Sequence, residues 1–500
     1  MNKYFISISA GILLSAIGAT QLHAQFVTTT QSQQWKVQAS PKAGAAIKAD
    51  STLIIDLSKT DQTIEGFGTC FNELGWTSLS LLPEKERDGI LKEMFAPGVG
   101  ANFTVCRMPV AANDFALEYY SYDDTEGDFA MNNFSISHDK ATLIPFIKAA
   151  KKYQPNLKVW ASPWTPPAWM KWNKHYACAS TAAMKQRMEQ MMKRMEQNRK
   201  PGQAAPSLPG MLSVDNGLAI DKQIKEGTDG FIQEPQYLKA YALYFQKFIK
   251  AYRAEGIEIF GVMPQNEFNS NTLYPGCCWK AGSLANFIGK YLGPAMQEIG
   301  VKTMFGTVER AKEAMVDTVL TDSDAQKYVS AVSFQWAGRG ALPGIHQRYP
   351  NMKLIQSEQE CGNGKNDWAA MMHCWELMHH YLNNGVSIYD YWNTSLLEGG
   401  VSHWGWSQNS LVTVAKDGKS FKYTLEYYLL KHASHFVLPG AKRLVTAGDC
   451  KDVICFVNKD GKVAVLIANE ADADKTVSIQ LGKKSYSPVI KAHSVNTIIL

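Results

Sequence analysis

Between residues 63 and 392 the chain alternates short β-branched runs with longer stretches of helical period, and it does so eight times. That rhythm restricts the fold more than any other feature. The runs are TIEGFG (63–68), NFTVCRM (102–108), LKVWASPW (157–164), IFGVMPQNE (259–267), KTMFGTV (302–308), VSAVSFQW (329–336), KLIQSE (353–358) and VSIYDYW (386–392). Between them lie patterns such as PQYLKAYALYFQKFIKAYRAEG (235–256) and WAAMMHCWELMHHYLNNG (368–385), the second closing on Gly385 where a helix C-cap belongs. Strands that alternate with helices argue for parallel βαβ units, and eight of them close a (β/α)₈ barrel.

A chain of 500 residues is too long for one hydrophobic core, which stops growing at about 250–300. The second module is visible past residue 430, where helical periods give way to HFVLPGAKRLV, DVICFVNKDGKVAVLIAN, KTVSIQL and HSVNTIIL. These read as strands of a sandwich, with NKDGK a hairpin turn. Segments near 36–57 also alternate without helices and are expected to join it. The fold class is therefore α/β, a TIM barrel with an attached all-β sandwich. The expected division is a signal peptide at 1–24, N-terminal sandwich strands at 25–60, the barrel at 61–428 and the C-terminal sandwich at 429–500.

The signal reading rests on Lys3, the apolar run Phe5–Ile17 and the small-residue end of Leu22-His23-Ala24. The run is shorter than the ~20 residues a membrane helix needs, so a secreted or periplasmic protein with no membrane span is expected. A net charge of +5 gives no argument for nucleic acid as a partner. The nine cysteines are odd in number, so at least one is unpaired or paired between molecules, and none shows zinc-site spacing; small buried residues with a few disulfides are expected. Within 178–230, Met184, Met188, Met191 and Met195 recur at helical spacing, a stripe read as packing.

In a parallel barrel, catalytic groups stand at the carboxyl ends of the strands. Glu267 ends the fourth run and Glu358 the seventh, across the mouth from each other. Two such carboxyls are what glycoside cleavage requires, one protonated to assist the leaving oxygen and one ionised to attack or to activate water. Asn266, beside Glu267, is placed to donate to a sugar 2-hydroxyl. The structural alternative, a Glu that merely caps the next helix, accounts for either residue alone and poorly for both.

The ordered set GFGTCFNELGW (66–76), CRMPVAANDF (106–115), ASPWTPPAWMK (161–171), PQNEF (264–268), QSEQECG (356–362) and YWNTSLLEGGVSHWGW (391–406) resembles glycoside hydrolase family 30. That is the retaining family of glucosylceramidases, endo-β-1,6-glucanases and certain xylanases. The resemblance implies Glu267 as acid/base and Glu358 as nucleophile, with Glu360 a rival that an extended strand would point the same way. It implies that Arg107 orients the nucleophile and that Asp114, Trp164, Tyr274, Trp392 and Asn393 contact sugar. Asn266 and Trp336 complete the substrate-binding set. Phe268 stands where the family often has proline, and Gln335 and Ala337 stand where glucosylceramidases tend to show His-Trp-Tyr. KWNKHYAC (171–178), YPGCCW and SHWGWSQNSLVTV (402–414) look like the β-1,6-glucanase branch. The resemblance thus favours an endo-β-1,6-glucanase acting on polysaccharide, without metal or organic cofactor. The alternatives are a glucosylceramidase-type β-glucosidase, a xylanase of the same family, or a glycan-binding protein that has lost catalysis.

Overall fold

The computed structural model describes residues 25–45, 47–197 and 214–500. The expected signal peptide lies outside them. All eight runs enter one closed parallel barrel, whose strands are Gly66–Cys70, Val105–Pro109, Lys158–Ser162, Ile259–Val262, Lys302–Val308, Val329–Gln335, Leu354–Glu358 and Val386–Asn393. They are referred to below as barrel strands one to eight. Strand eight pairs back onto strand one and shuts the ring.

From strand two round to strand eight, Val105, Trp160, Met263 (just past the end of strand four), Met304, Ala331, Ile355 and Ile388 form one buried apolar layer across the barrel. Strand one contributes none, because it runs too close to its neighbour. A Cβ on Gly68 would lie 1.5 Å from the Val105 carbonyl oxygen, so only glycine fits. The side chains just beyond this plug toward the carboxyl ends of the strands form the floor of the mouth.

Strand four is shorter than its apolar run suggests. It stops at Val262; Met263 N–H still bonds the Ala161 carbonyl of strand three at 2.9 Å, and the chain leaves the ladder from Pro264 onward. Pro264 has no N–H to donate to a neighbouring strand, which accounts for the early exit. The next amides turn elsewhere: Asn266 N–H bonds the Pro163 carbonyl at 2.7 Å and Glu267 N–H the Thr307 hydroxyl at 2.8 Å.

Two outer helices follow the sequence closely. Pro235–Ala254 begins with proline in its first turn, where the missing N–H costs nothing. Trp368–Asn383 is capped by the Asp367 carboxylate, which accepts from Ala370 N–H, and is followed by Gly385 at φ +87. A further helix, Leu425–Ser434, is not visible in the sequence pattern and spans the expected division at 428/429. Its aromatic, apolar sequence LEYYLLKHAS carries little period, and the signal is Thr424, whose hydroxyl accepts from Tyr427 N–H as an N-cap. The strand expected from His435 starts only at Lys442.

The sandwich takes strands from both chain ends. Phe26–Thr30 pairs with Ser494–Ile499, and the long strand Ser51–Thr63 lies between Lys442–Gly448 and Lys475–Leu481. Its core is Leu53, Ile55, Leu444, Val465, Ile467, Ile479 and Ile498. Lys431 fastens it to the barrel, bonding Glu93 at 2.7 Å while lying over the Trp35 ring.

The methionine stripe is on the helix Thr181–Gln197, but it does not pack as expected. Met184 and Met191 are exposed, and Met188 rests partly buried on Ala179 and Leu273. The Met195 side chain lies outside the described residues. None of the nine cysteines is bonded to another, and eight are buried. Among the described residues no helix is long and apolar enough to cross a membrane.

The axial plug leaves no room for collapse around a truncated side chain. Ile355→Ala should therefore cost about 2–5 kcal/mol in urea-induced unfolding, whereas Val489→Ala on the exposed sandwich edge should cost under about 0.5 kcal/mol.

Candidate active site

Arg107, on strand two, is wholly buried two residues above Val105 in the axial plug. Alternation of side chains along a strand puts it on the same inner face. An unpaired guanidinium there would be prohibitively costly, and the surrounding strands satisfy it completely. Its Nε and Nη2 donate to Ser162 Oγ at 3.2 and 2.8 Å, and Nη2 also to Asn266 Oδ1 at 2.7 Å. Its Nη1 donates to Glu358 Oε2 at 2.8 Å, to the Ser357 carbonyl at 3.2 Å and to Gln335 Oε1 at 3.4 Å. The Trp164 ring covers it at 4.4 Å, with Trp160 and Trp392 farther out.

Glu358 is the last residue of strand seven, and a register shift between Gln356 and Glu358 accompanies its turn into the mouth. Besides Arg107 it accepts from Trp336 Nε1 at 3.1 Å and Gln335 Nε2 at 3.3 Å. Burial pushes this carboxyl up, and Arg107, Trp336 and Gln335 all pull it back. Trp336 is held at φ +48, a strained setting for a bulky residue that aims its indole N–H at Glu358.

Glu267 is a second left-handed residue, at φ +46, and among the described residues no ion pair neutralises it. Burial, then the charge of Glu358, then that of Glu309 push it to about 8. Gln335 Nε2 donates to it at 3.2 Å, and the Tyr274 hydroxyl approaches at 3.5 Å. The two carboxyls thus meet on one amide nitrogen. The oxygens it binds can be no more than about 6.5 Å apart, within reach of the ~5–5.5 Å spacing of retaining glycosidases. Of the pair, Glu358 ionises first and Glu267 keeps its proton.

Gln335, at the end of strand six, stands out in the sequence only as a departure, yet it joins the site together. Its Oε1 accepts from Arg107 and from Ser357 Oγ (2.9 Å), which fixes which end of the amide faces the carboxyls. Asn266 is similarly fixed: Arg107, Thr307 and Gln335 all donate to Oδ1, leaving Nδ2 as the end available to substrate. Thr307 also escapes the sequence reading, since its part is to hold the Glu267 amide.

The remaining expected residues divide. Asp114 is buried in the second loop with Oδ1 unpartnered, and burial, then Glu358 and Glu267, push it well up. A protonated Asp114 both donates to and accepts from a hydroxyl. Trp164 and Trp392 are stacked on each other at 4.9 Å and buried against Arg107, so neither presents an open face; Trp392 retains a buried, unpartnered Nε1–H. Asn393 spends its amide inside the wall, donating to Gln408 and the Asn409 carbonyl and accepting from Asn72. It braces two loops rather than facing the cleft. Glu360, the rival carboxyl, is tied to Arg339 and to His373 Nε2 outside this network. Among the described residues no cluster of His, Cys, Asp and Glu is arranged to hold a metal ion.

The model of the glycosyl hydrolase family 30 TIM-barrel domain matches residues 64–195 and 183–437, and that of the family's beta sandwich domain matches 440–498. The chain belongs to glycosyl hydrolase family 30. A Caenorhabditis elegans protein bearing a glucosylceramidase name is 28% identical over 467 residues, 86% of this chain and 78% of its own. The endo-1,6-beta-D-glucanase neg1 of Aspergillus fumigatus is 26% identical over 477 residues, 88% and 85% of the two chains. Among solved structures, the endo-beta1,6-glucanase BT3312 superposes with a TM-score of 0.74 at 23% identity, covering 95% of this chain and 99% of that one, which shows the shared fold. As a family 30 member the protein is a glycoside hydrolase, and the paired-carboxylate mouth is where such chemistry fits.

Arg107→Gln removes the cation that keeps Glu358 ionised. The acid limb of the pH profile for kcat/KM should move up by about 1 or more, with most activity lost below neutrality. An unmoved acid limb would show that Glu358 does not depend on this contact.

Proposed function

We propose that this family 30 enzyme cleaves β-glucosidic linkages by double displacement, with Glu358 as nucleophile and Glu267 as acid/base. The observation that carries this reading is the opposed treatment of two carboxyls bound to one Gln335 nitrogen. Glu358 has a guanidinium at 2.8 Å and an indole N–H at 3.1 Å, so it is the anion poised to attack the anomeric carbon. Glu267 has no such partner and is held protonated to about 8, so it delivers a proton to the departing oxygen. Once glucosyl is bonded to Glu358, that negative charge is gone and Glu267 loses the largest electrostatic reason to stay protonated. It then serves as the base that activates water.

The substrate we assign is β-1,6-linked glucan. Support comes from the segments around 171–178, 274–279 and 402–414, which resemble the glucanase branch, and from the Aspergillus relative. A glucosylceramide is the second reading, favoured by the glucosylceramidase name of the nematode relative. Assaying both substrates side by side decides between them: release of short gluco-oligosaccharides from β-1,6-glucan is expected, and turnover of the lipid alone would overturn the choice.

Glu358→Gln should lower kcat by about 10⁴ or more on every substrate while the fold persists. Glu267→Gln should lose a comparable factor on glucan but much less on an aryl β-glucoside whose leaving group needs no proton, leaving glucosyl-enzyme to accumulate. Equal losses on both substrates would contradict the acid role of Glu267.

A further inference from the structure

Directly behind Glu267 lies a carboxyl that the two-glutamate scheme does not use. Glu309 follows strand five and is 1% exposed. Its Oε1 accepts from Asn269 N–H at 2.9 Å and from Ser270 Oγ at 3.1 Å, both in the turn that begins at Glu267. Ser270 N–H in turn donates to the Glu267 carbonyl at 3.0 Å. The other oxygen, Oε2, is buried without a partner. A buried carboxyl with one oxygen unspent is costly to keep, and stability alone does not explain it.

Its surroundings form a short relay. Arg310 Nη1 donates to the Glu309 carbonyl at 3.4 Å, and its Nη2 bonds Glu226 at 2.6 Å on the segment that follows the third-strand insertion. Gly227 N–H from that segment donates to Asn269 Oδ1 at 2.8 Å. Charged and titratable groups therefore face Glu267 from several sides. Glu358 comes from strand seven, Asp114 from the second loop, Tyr274 from its own loop, and Glu309 with Arg310 from the fifth. Glu358 and Glu309 favour its protonated form, while Arg310 opposes it.

We propose that Glu309 is the positioning residue of the acid/base: it holds the left-handed turn that carries Glu267 and places a second acidic group behind it. The inference rests on the assignment of Glu267 as acid/base. Through Asn269 and Ser270, Glu309 fixes where the Glu267 backbone can go. Burial pushes Glu309 itself up to about 7, with Arg310 opposing, so its charge is present on the alkaline side, where it helps Glu267 keep its proton. Arg310, tied to Glu226, moderates that charge and couples the acid to the insertion.

The test is the alkaline limb of kcat/KM against pH, measured on an aryl β-glucoside with a poor leaving group for wild type, E309Q and R310Q. The amide introduced by E309Q keeps an acceptor for Asn269 and Ser270 but carries no charge. Removing a negative neighbour makes Glu267 lose its proton sooner, so the limb should move down by about 0.5–1 in pH, with kcat on the acid plateau within about threefold of wild type. R310Q removes a cation from a partly exposed position and should move the limb up. Opposite shifts support the inference. A limb unmoved in E309Q, or moved the same way in both, overturns it. If E309Q does not fold, R310Q alone decides, since an unmoved limb there breaks the relay. Failure of the underlying assignment reads differently: E267Q would then hydrolyse this substrate as fast as wild type.

Discussion

The site depends on one buried cation. Arg107 sits just beyond the buried apolar layer across the barrel, and a guanidinium in that position has to spend every donor. It does so on strands three, six and seven and on the loop after strand four, so those elements are set relative to one another by a single planar group. The Trp164, Trp160 and Trp392 rings lie over the guanidinium and bury it. What looks like a substrate platform in Trp164 and Trp392 is therefore first a clamp on Arg107.

From this the division of labour between the carboxyls follows. Arg107 reaches Glu358 directly but reaches the fourth loop only through Asn266, one residue before Glu267. A cation that contacted both glutamates would ionise both, and neither would be left to protonate a leaving group. Gln335 bridges the two without biasing them by charge, since an amide has no titration of its own in this range.

Much of this is legible in the sequence, and what escapes has identifiable reasons. Strand positions are visible because buried parallel strands are continuous apolar runs, and their order fixes which ends meet. The length of strand four misleads because Pro264 removes a ladder donor from a segment that is otherwise apolar. Glu358 and Glu360 share a strand's alternation on paper; in the fold the strand ends at Glu358, and Arg339 and His373 take Glu360 away. Gln335, Thr307 and Glu309 are not readable as functional because each acts through a contact with a distant segment. The methionine stripe has helical spacing, but its helix lies against too little of the protein to bury it. Asn393 matches the family's pattern of sugar contacts, whereas its amide is consumed by Asn72, Gln408 and Asn409.

Glu267 and Glu358 both bind the Gln335 amide nitrogen, at 3.2 and 3.3 Å, and on the proposed assignment of Glu358 as nucleophile the first sugar released keeps the configuration of the bond that was cut. Proton NMR of the anomeric region during the first seconds of hydrolysis, before mutarotation, reads this directly. The β-anomer should appear first and the α-anomer only later by equilibration. Initial release of the α-anomer would contradict the assignment.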